Sequence, residues 1–158
     1  MQFTILGTIE VADSGGQISL APQQLRLLGI LLINLNQVVP TEVIVTALLG
    51  RRPTPAARRA AQMAVARLRR SIEGNPRVRL ITVSGGYELA ADPDRVDLFR
   101  AVRTIGSSVA PDVSAVALDW QETAFGNYAT GPMRAMAATR IRAILAPHHR
   151  FLRPTLIS

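Results

Sequence analysis

The spacing of apolar residues changes several times along the chain, and each change marks an element. Residues 3–6 and 9–11 read as short strands. The turn signal Asp13-Ser14-Gly15-Gly16 leads into residues 17–20, where apolar and polar positions alternate as in a half-buried strand. A small antiparallel sheet is expected to open the chain. Pro22 suits the first turn of a helix, and Leu25, Leu28, Leu32 and Leu35 follow at helical spacing, predicting one apolar face that ends near Asn34 and Asn36. Gln37-Val38-Val39 is a brief extended piece stopped by Pro40. Thr41 reads as the N-cap of a second helix that carries Val43, Ile44, Ala47 and Leu48 and ends at Gly50.

The third helix has the clearest start. Thr54 as N-cap with Pro55 in the first helical position opens it, and Gly74-Asn75-Pro76 closes it after about Glu73. Ala61, Val65, Leu68 and Ile72 share one face. Arg59, Met63, Ala66, Arg67 and Arg70 lie opposite, with Arg58, Gln62 and Arg69 on the flanks. Residues 78–83 and 87–91 form two strands joined by Ser84-Gly85-Gly86, where glycine supplies the positive φ of a hairpin turn. The acidic stretch Asp92-Pro93-Asp94 marks a boundary. Residues 96–105, 111–123 and 132–145 read as helices, and Pro147 stops the last. The expected fold is α+β: a winged helix-turn-helix over residues 1–92 (antiparallel sheet, three helices, β-hairpin wing), a short all-helical domain over 93–150, and a tail over 151–158.

Charge sharpens this picture. Of 158 residues, those from 51 to 79 hold nine arginines against Glu73 alone, a local net charge of +8. Residues 1–50 sum to −2 and residues 80–158 to +1. A basic patch focused on one helix and its borders is the electrostatic footprint of a polyanion partner. Every side-chain cation is arginine, whose planar fork matches phosphate and guanine edges, although GC-rich codon usage also favours arginine. A helix with one apolar face and an arginine-lined opposite face suits the DNA major groove. Arginines at its ends would grip phosphates while Gln62, Met63 and the small Ala66 approach bases. The plainer reading is a solvated basic face. RNA is the alternative polyanion, but aromatic residues make up 4% of the chain, which disfavours base-stacking recognition of single strands.

The segments FTILGTIEV, APQQLRLLGILLINLNQVV, ARRAAQMAVARLRRSI and RLITVSGGYELAADPDRVDLFR resemble the Streptomyces antibiotic regulatory protein family over residues 1–103. The resemblance implies an OmpR-type winged helix, the kind of effector domain found in two-component regulators, followed by a helical bacterial transcriptional activation domain. It further implies an activator of a biosynthetic gene cluster that binds direct repeats in double-stranded DNA as a head-to-tail dimer and contacts RNA polymerase. Carried over by position, the recognition helix maps to residues 54–72. The implied DNA contacts are Thr54, Arg58, Arg59, Gln62, Met63, Arg67, Arg69 and Arg70, with Thr82, Ser84 and Gly85 in the wing and Arg51, Arg52, Arg77 and Arg79 at the edges. Leu49 stands where the family usually has Trp, Arg59 where it commonly has Asn, and Ala64 where it commonly has His. Asp97, Leu98 and Phe99 resemble the start of the activation domain and Leu118-Asp119-Trp120 its first hairpin region, but the family's domain continues further. The alternatives are a DNA-binding competitor or repressor that lacks activation, and a protein-interaction module built on the helices after residue 94.

Other chemistry lacks parts. The chain has no cysteine and two histidines, the adjacent His148 and His149, so no nucleophile–base pair suggests itself and a non-enzyme is expected. Asp92, Asp94 and Asp97 are better explained by helix capping than by a metal, and no cofactor is expected. Trp120, Phe125 and Tyr128 read as core of the C-terminal part, with a ligand pocket or dimer face as the alternative. No signal peptide and no membrane-length apolar run is evident, so a cytoplasmic protein without membrane contact is expected.

Overall fold

Three short strands open the chain: β1 (Gln2–Thr4), β2 (Glu10–Asp13) and β3 (Gly16–Ile18). They pair antiparallel in the order β1-β2-β3, with Phe3 opposite Val11 and Val11 opposite Ile18. That register puts the apolar side chains on one face, and Phe3 and Val11 are fully buried. The computed structural model describes residues 1–72, 74–107 and 113–151. Residues 111–112, where the fifth helix was expected to begin, and the tail beyond 151 lie outside them.

Helix α1 (Pro22–Ile33) starts with Pro22 in its first turn, and the Gln24 side-chain oxygen accepts a hydrogen bond from the Ala21 N–H at 3.2 Å. Its leucine spacing predicts one apolar face, but Leu25 and every residue from 27 to 33 are buried. A helix apolar nearly all round must be covered on more than one side, and the C-terminal helices supply the second cover. Strand β4 (Val38–Pro40) leads into α2 (Thr41–Ile44), which continues without a break into a π-helical turn (Val45–Leu49). The cap position falls on Pro40 rather than Thr41. The Thr41 hydroxyl instead donates to the Gly85 carbonyl at 3.3 Å, and its N–H donates to the same oxygen at 3.0 Å.

Helix α3 (Pro55–Ile72) is followed by the hairpin of β5 (Arg79–Val83) and β6 (Gly86–Ala90). The second sheet has the order β4-β6-β5 and is antiparallel throughout, so β6 lies between the hairpin partner and the strand that precedes α2. This arrangement of two small sheets, three helices and a C-terminal hairpin is a winged helix-turn-helix.

Beyond the hairpin come α4 (Asp97–Ser107), α5 (Val113–Thr123) and α6 (Gly131–Leu145). Their attachment to the first sheet is specific. The Asp97 carboxylate accepts the Ile5 N–H at 2.9 Å and the Leu6 N–H at 3.1 Å, satisfying backbone donors just past the end of β1. The Phe125 N–H donates to the Ile5 carbonyl at 2.8 Å, and the Gly7 N–H to the Thr123 carbonyl at 3.0 Å. Phe125 is fully buried, Trp120 is buried and Tyr128 half-buried. Phe125, Met133, Ala137, Ile141 and Leu145 join the same core as Leu27, Leu31 and Ile33. The Thr130 hydroxyl donates to the Ala47 carbonyl of the π-helical turn at 3.0 Å.

The acidic boundary does local work. Asp92 caps a short 3₁₀ turn by accepting the Asp94 N–H at 2.9 Å, and Asp94 forms an ion pair with Arg103. Among the described residues no group of acids, histidines or cysteines is placed to hold a metal ion.

Candidate nucleic-acid interface

Helix α3 owes its start to its own sequence. The Thr54 hydroxyl accepts the Ala57 N–H at 3.1 Å, and Pro55 fills the first helical position, where an N–H would have no intrahelical partner. Thr54→Ala is expected to cost about 1 kcal/mol of stability, as measured by urea unfolding, through loss of this cap.

Its two faces then separate cleanly. Ala57, Ala61, Ala64, Val65, Leu68 and Ile72 are buried, against α1 and the π-helical turn among others. Arg58, Arg59, Gln62, Met63, Ala66, Arg67 and Arg70 are exposed. Met63 is 52% exposed, a large apolar side chain held out in solvent beside arginines. Ala64 is buried, so the position where the resemblance expects His contributes to the core rather than to the outer face. Arg51 and Arg52, before the helix, are exposed, as are Arg77 and Arg79 at the base of the hairpin. Arg58 is partly engaged: its guanidinium lies 3.4 Å from the Glu42 carboxylate of α2. Both side chains are about half exposed, so this pair orients Arg58 more than it stabilises the fold.

Besides its pairing with β4, the hairpin is fastened at its tip and along its flank. At the tip, where Ser84 and Gly85 make the turn and Gly85 takes φ +82°, the Gly85 carbonyl is held by Thr41. Along its flank, the Arg69 guanidinium donates from Nε to the Leu80 carbonyl at 3.1 Å and from Nη2 to the Thr82 hydroxyl at 2.8 Å. Arg69 is half-buried, unlike the arginines beside it. Thus the sequence-derived candidates fall into two groups. Arg51, Arg52, Arg58, Arg59, Gln62, Met63, Arg67, Arg70, Arg77, Arg79 and Ser84 present exposed side chains. Thr54, Arg69, Thr82 and Gly85 also hold elements in place. Thr41 and Glu42 belong beside these four, although nothing in the sequence around α2 announces partners more than a dozen residues away.

An exposed arginine-rich helix beside a fastened hairpin is the arrangement of a winged-helix domain. Residues 15–89 match the family described as transcriptional regulatory protein, C terminal. The chain is 33% identical over 107 residues to the transcriptional regulatory protein MoaR1 of Mycobacterium tuberculosis, a match covering 65% of this chain and 34% of that protein. It is 32% identical over 106 residues to the transcriptional regulatory protein EmbR of the same organism, covering 65% of this chain and 27% of that protein. The alignments thus span about a third or less of these relatives' length. The fold is similar to that in a solved structure of Mycobacterium tuberculosis EmbR in complex with a low-affinity phosphopeptide. The TM-score is 0.65 at 24% identity, over 93% of this chain and 43% of that one. Among the described residues no helix is long and apolar enough to cross a membrane.

Proposed function

We propose that this chain is a sequence-specific transcription regulator of double-stranded DNA, of the antibiotic regulatory protein kind, and acts without enzymatic activity in the cytoplasm. In this reading α3 enters the major groove. Arg59, Gln62, Met63 and Arg67 face base edges, while Arg51, Arg52, Arg58, Arg70, Arg77 and Arg79 track phosphates. The wing, through Thr82, Ser84 and Gly85, lies on the flanking backbone. Two copies occupy direct repeats head to tail, and the unit over residues 93–150 serves activation by contacting RNA polymerase. The observation that carries the reading is the outer face of α3. It is a helix whose apolar side is fully buried and whose exposed side holds arginines, a glutamine and a methionine with no acid among them.

The test is binding of the purified chain to duplexes carrying direct repeats one helical turn apart, against a scrambled duplex, at two salt concentrations. Preference for the repeats that persists at about 150 mM salt supports a specific regulator. Equal binding that collapses with salt reduces the patch to a polyanion surface. Within the same assay Arg67→Ala is expected to weaken the specific complex by about tenfold and to relax discrimination at one base pair. A phosphate contact would instead weaken all sequences alike and lower the salt slope by about one. In a promoter reporter, rising output supports activation and falling output overturns it.

A further inference from the structure

Arg69 sits in the basic patch, yet its guanidinium points at the protein. It donates to the Leu80 carbonyl and the Thr82 hydroxyl, both on β5, and it is half-buried where Arg67 and Arg70 are exposed. Leu80 pairs with Leu89 and Thr82 with Tyr87 across the hairpin, so one guanidinium fastens α3 to the middle of the wing. The tip is separately tied to the start of α2 through Thr41 and Gly85.

The Thr82 hydroxyl has one proton and two lone pairs. A charged donor occupying one lone pair leaves the hydroxyl proton to be donated outward, and Thr82 is exposed. We propose that Arg69 is a positioning residue for DNA recognition: it fixes the wing's angle to α3 and turns the Thr82 hydroxyl proton toward the DNA backbone, instead of gripping a phosphate itself. Specificity then depends on Arg69 because helix and wing must meet the DNA together. The inference rests on the proposed DNA-binding reading, and the experiment separates the two.

The unaltered chain is first shown to prefer direct repeats over a scrambled duplex. Failure at this step rejects the DNA-binding reading and, with it, a role for Arg69 in DNA recognition. With specific binding in hand, Arg69→Met, Thr82→Val and the double variant are compared. Methionine keeps an unbranched apolar stem without the guanidinium, and circular dichroism confirms that each variant is folded. Each single variant is expected to weaken the specific complex by about tenfold, and the double variant to be no weaker than either alone. The salt slope is expected to stay unchanged, and hydroxyl-radical footprinting to lose protection at the outer part of the wing around Thr82 while that of α3 and of the hairpin base at Arg77 and Arg79 remains. Additive losses together with a salt slope lower by about one would overturn the proposal and make Arg69 a direct phosphate contact. Arg69→Met binding as tightly as the unaltered chain would also overturn it.

Discussion

Replacing Phe125 with alanine is expected to remove about 3–5 kcal/mol of stability, read from urea unfolding. The ring is fully buried and lies against Gly29 of α1, where an added Cβ would come within 2.9 Å of Phe125 Cδ1 and 3.0 Å of Ile9 Cδ1. Glycine at that point lets the ring reach the helix backbone and wedge between α1 and the first sheet. The residue also takes φ 66°, a conformation that costs a non-glycine side chain about 1 kcal/mol, and the Phe125 N–H to Ile5 carbonyl bond holds it there. A total stability of about 5–15 kcal/mol is ordinary for such a chain, so the loss would leave a marginal protein. A loss below about 1 kcal/mol would mean that the ring is not the wedge the packing describes. Phe125→Leu keeps more volume and is expected to lose markedly less.

The second large effect concerns the wing. Gly86→Ala is expected to cost about 3 kcal/mol of stability. A Cβ on Gly86 would lie 2.3 Å from the Val39 carbonyl oxygen and 3.0 Å from the carbonyl carbon, both backbone atoms of β4 that cannot step aside. Relief requires β4 to separate from β6, where Pro40 pairs with Gly86 and Val39 with Tyr87. Neighbouring Gly85 has open space around it, so Gly85→Ala is expected to cost only about 1 kcal/mol, from its positive φ. Thermal melts of the two variants check the order. Equal losses would place the constraint in the turn geometry rather than in the strand contact.

That contrast shows what the sequence could and could not convey. Both glycines read as turn residues, because a hairpin needs positive φ and glycine provides it. Only Gly85 meets that need; Gly86 is required by the close approach of β4, a strand some 45 residues earlier in the chain. Helix α3 was legible almost completely, since its cap, its proline and its apolar period are all local, and its exposed face needs nothing else to define it. Helix α1 was legible as a helix but not in its burial. The leucine spacing implied one covered face, and nothing nearby in sequence announces that Phe125 and α6, about a hundred residues on, cover the rest. Arg69 shows the same limit within the site. A helical wheel places it on the flank, and only the hairpin's return path decides that its partner is Thr82. Thr41 is the mirror case: a residue type that caps helices, occupied instead by the far end of the wing.

The π-helical turn at Val45–Leu49 has a mechanical meaning. A π turn carries about one residue more per revolution than an α turn, so it bulges, and this one touches α1, α3 and α6. The Thr130 hydroxyl, at the head of α6, is bonded to a carbonyl inside it. The turn is a joint between the last long helix and the arginine-bearing one. Its five residues thus pack the head of α6 and the buried face of α3 against one shared bulge.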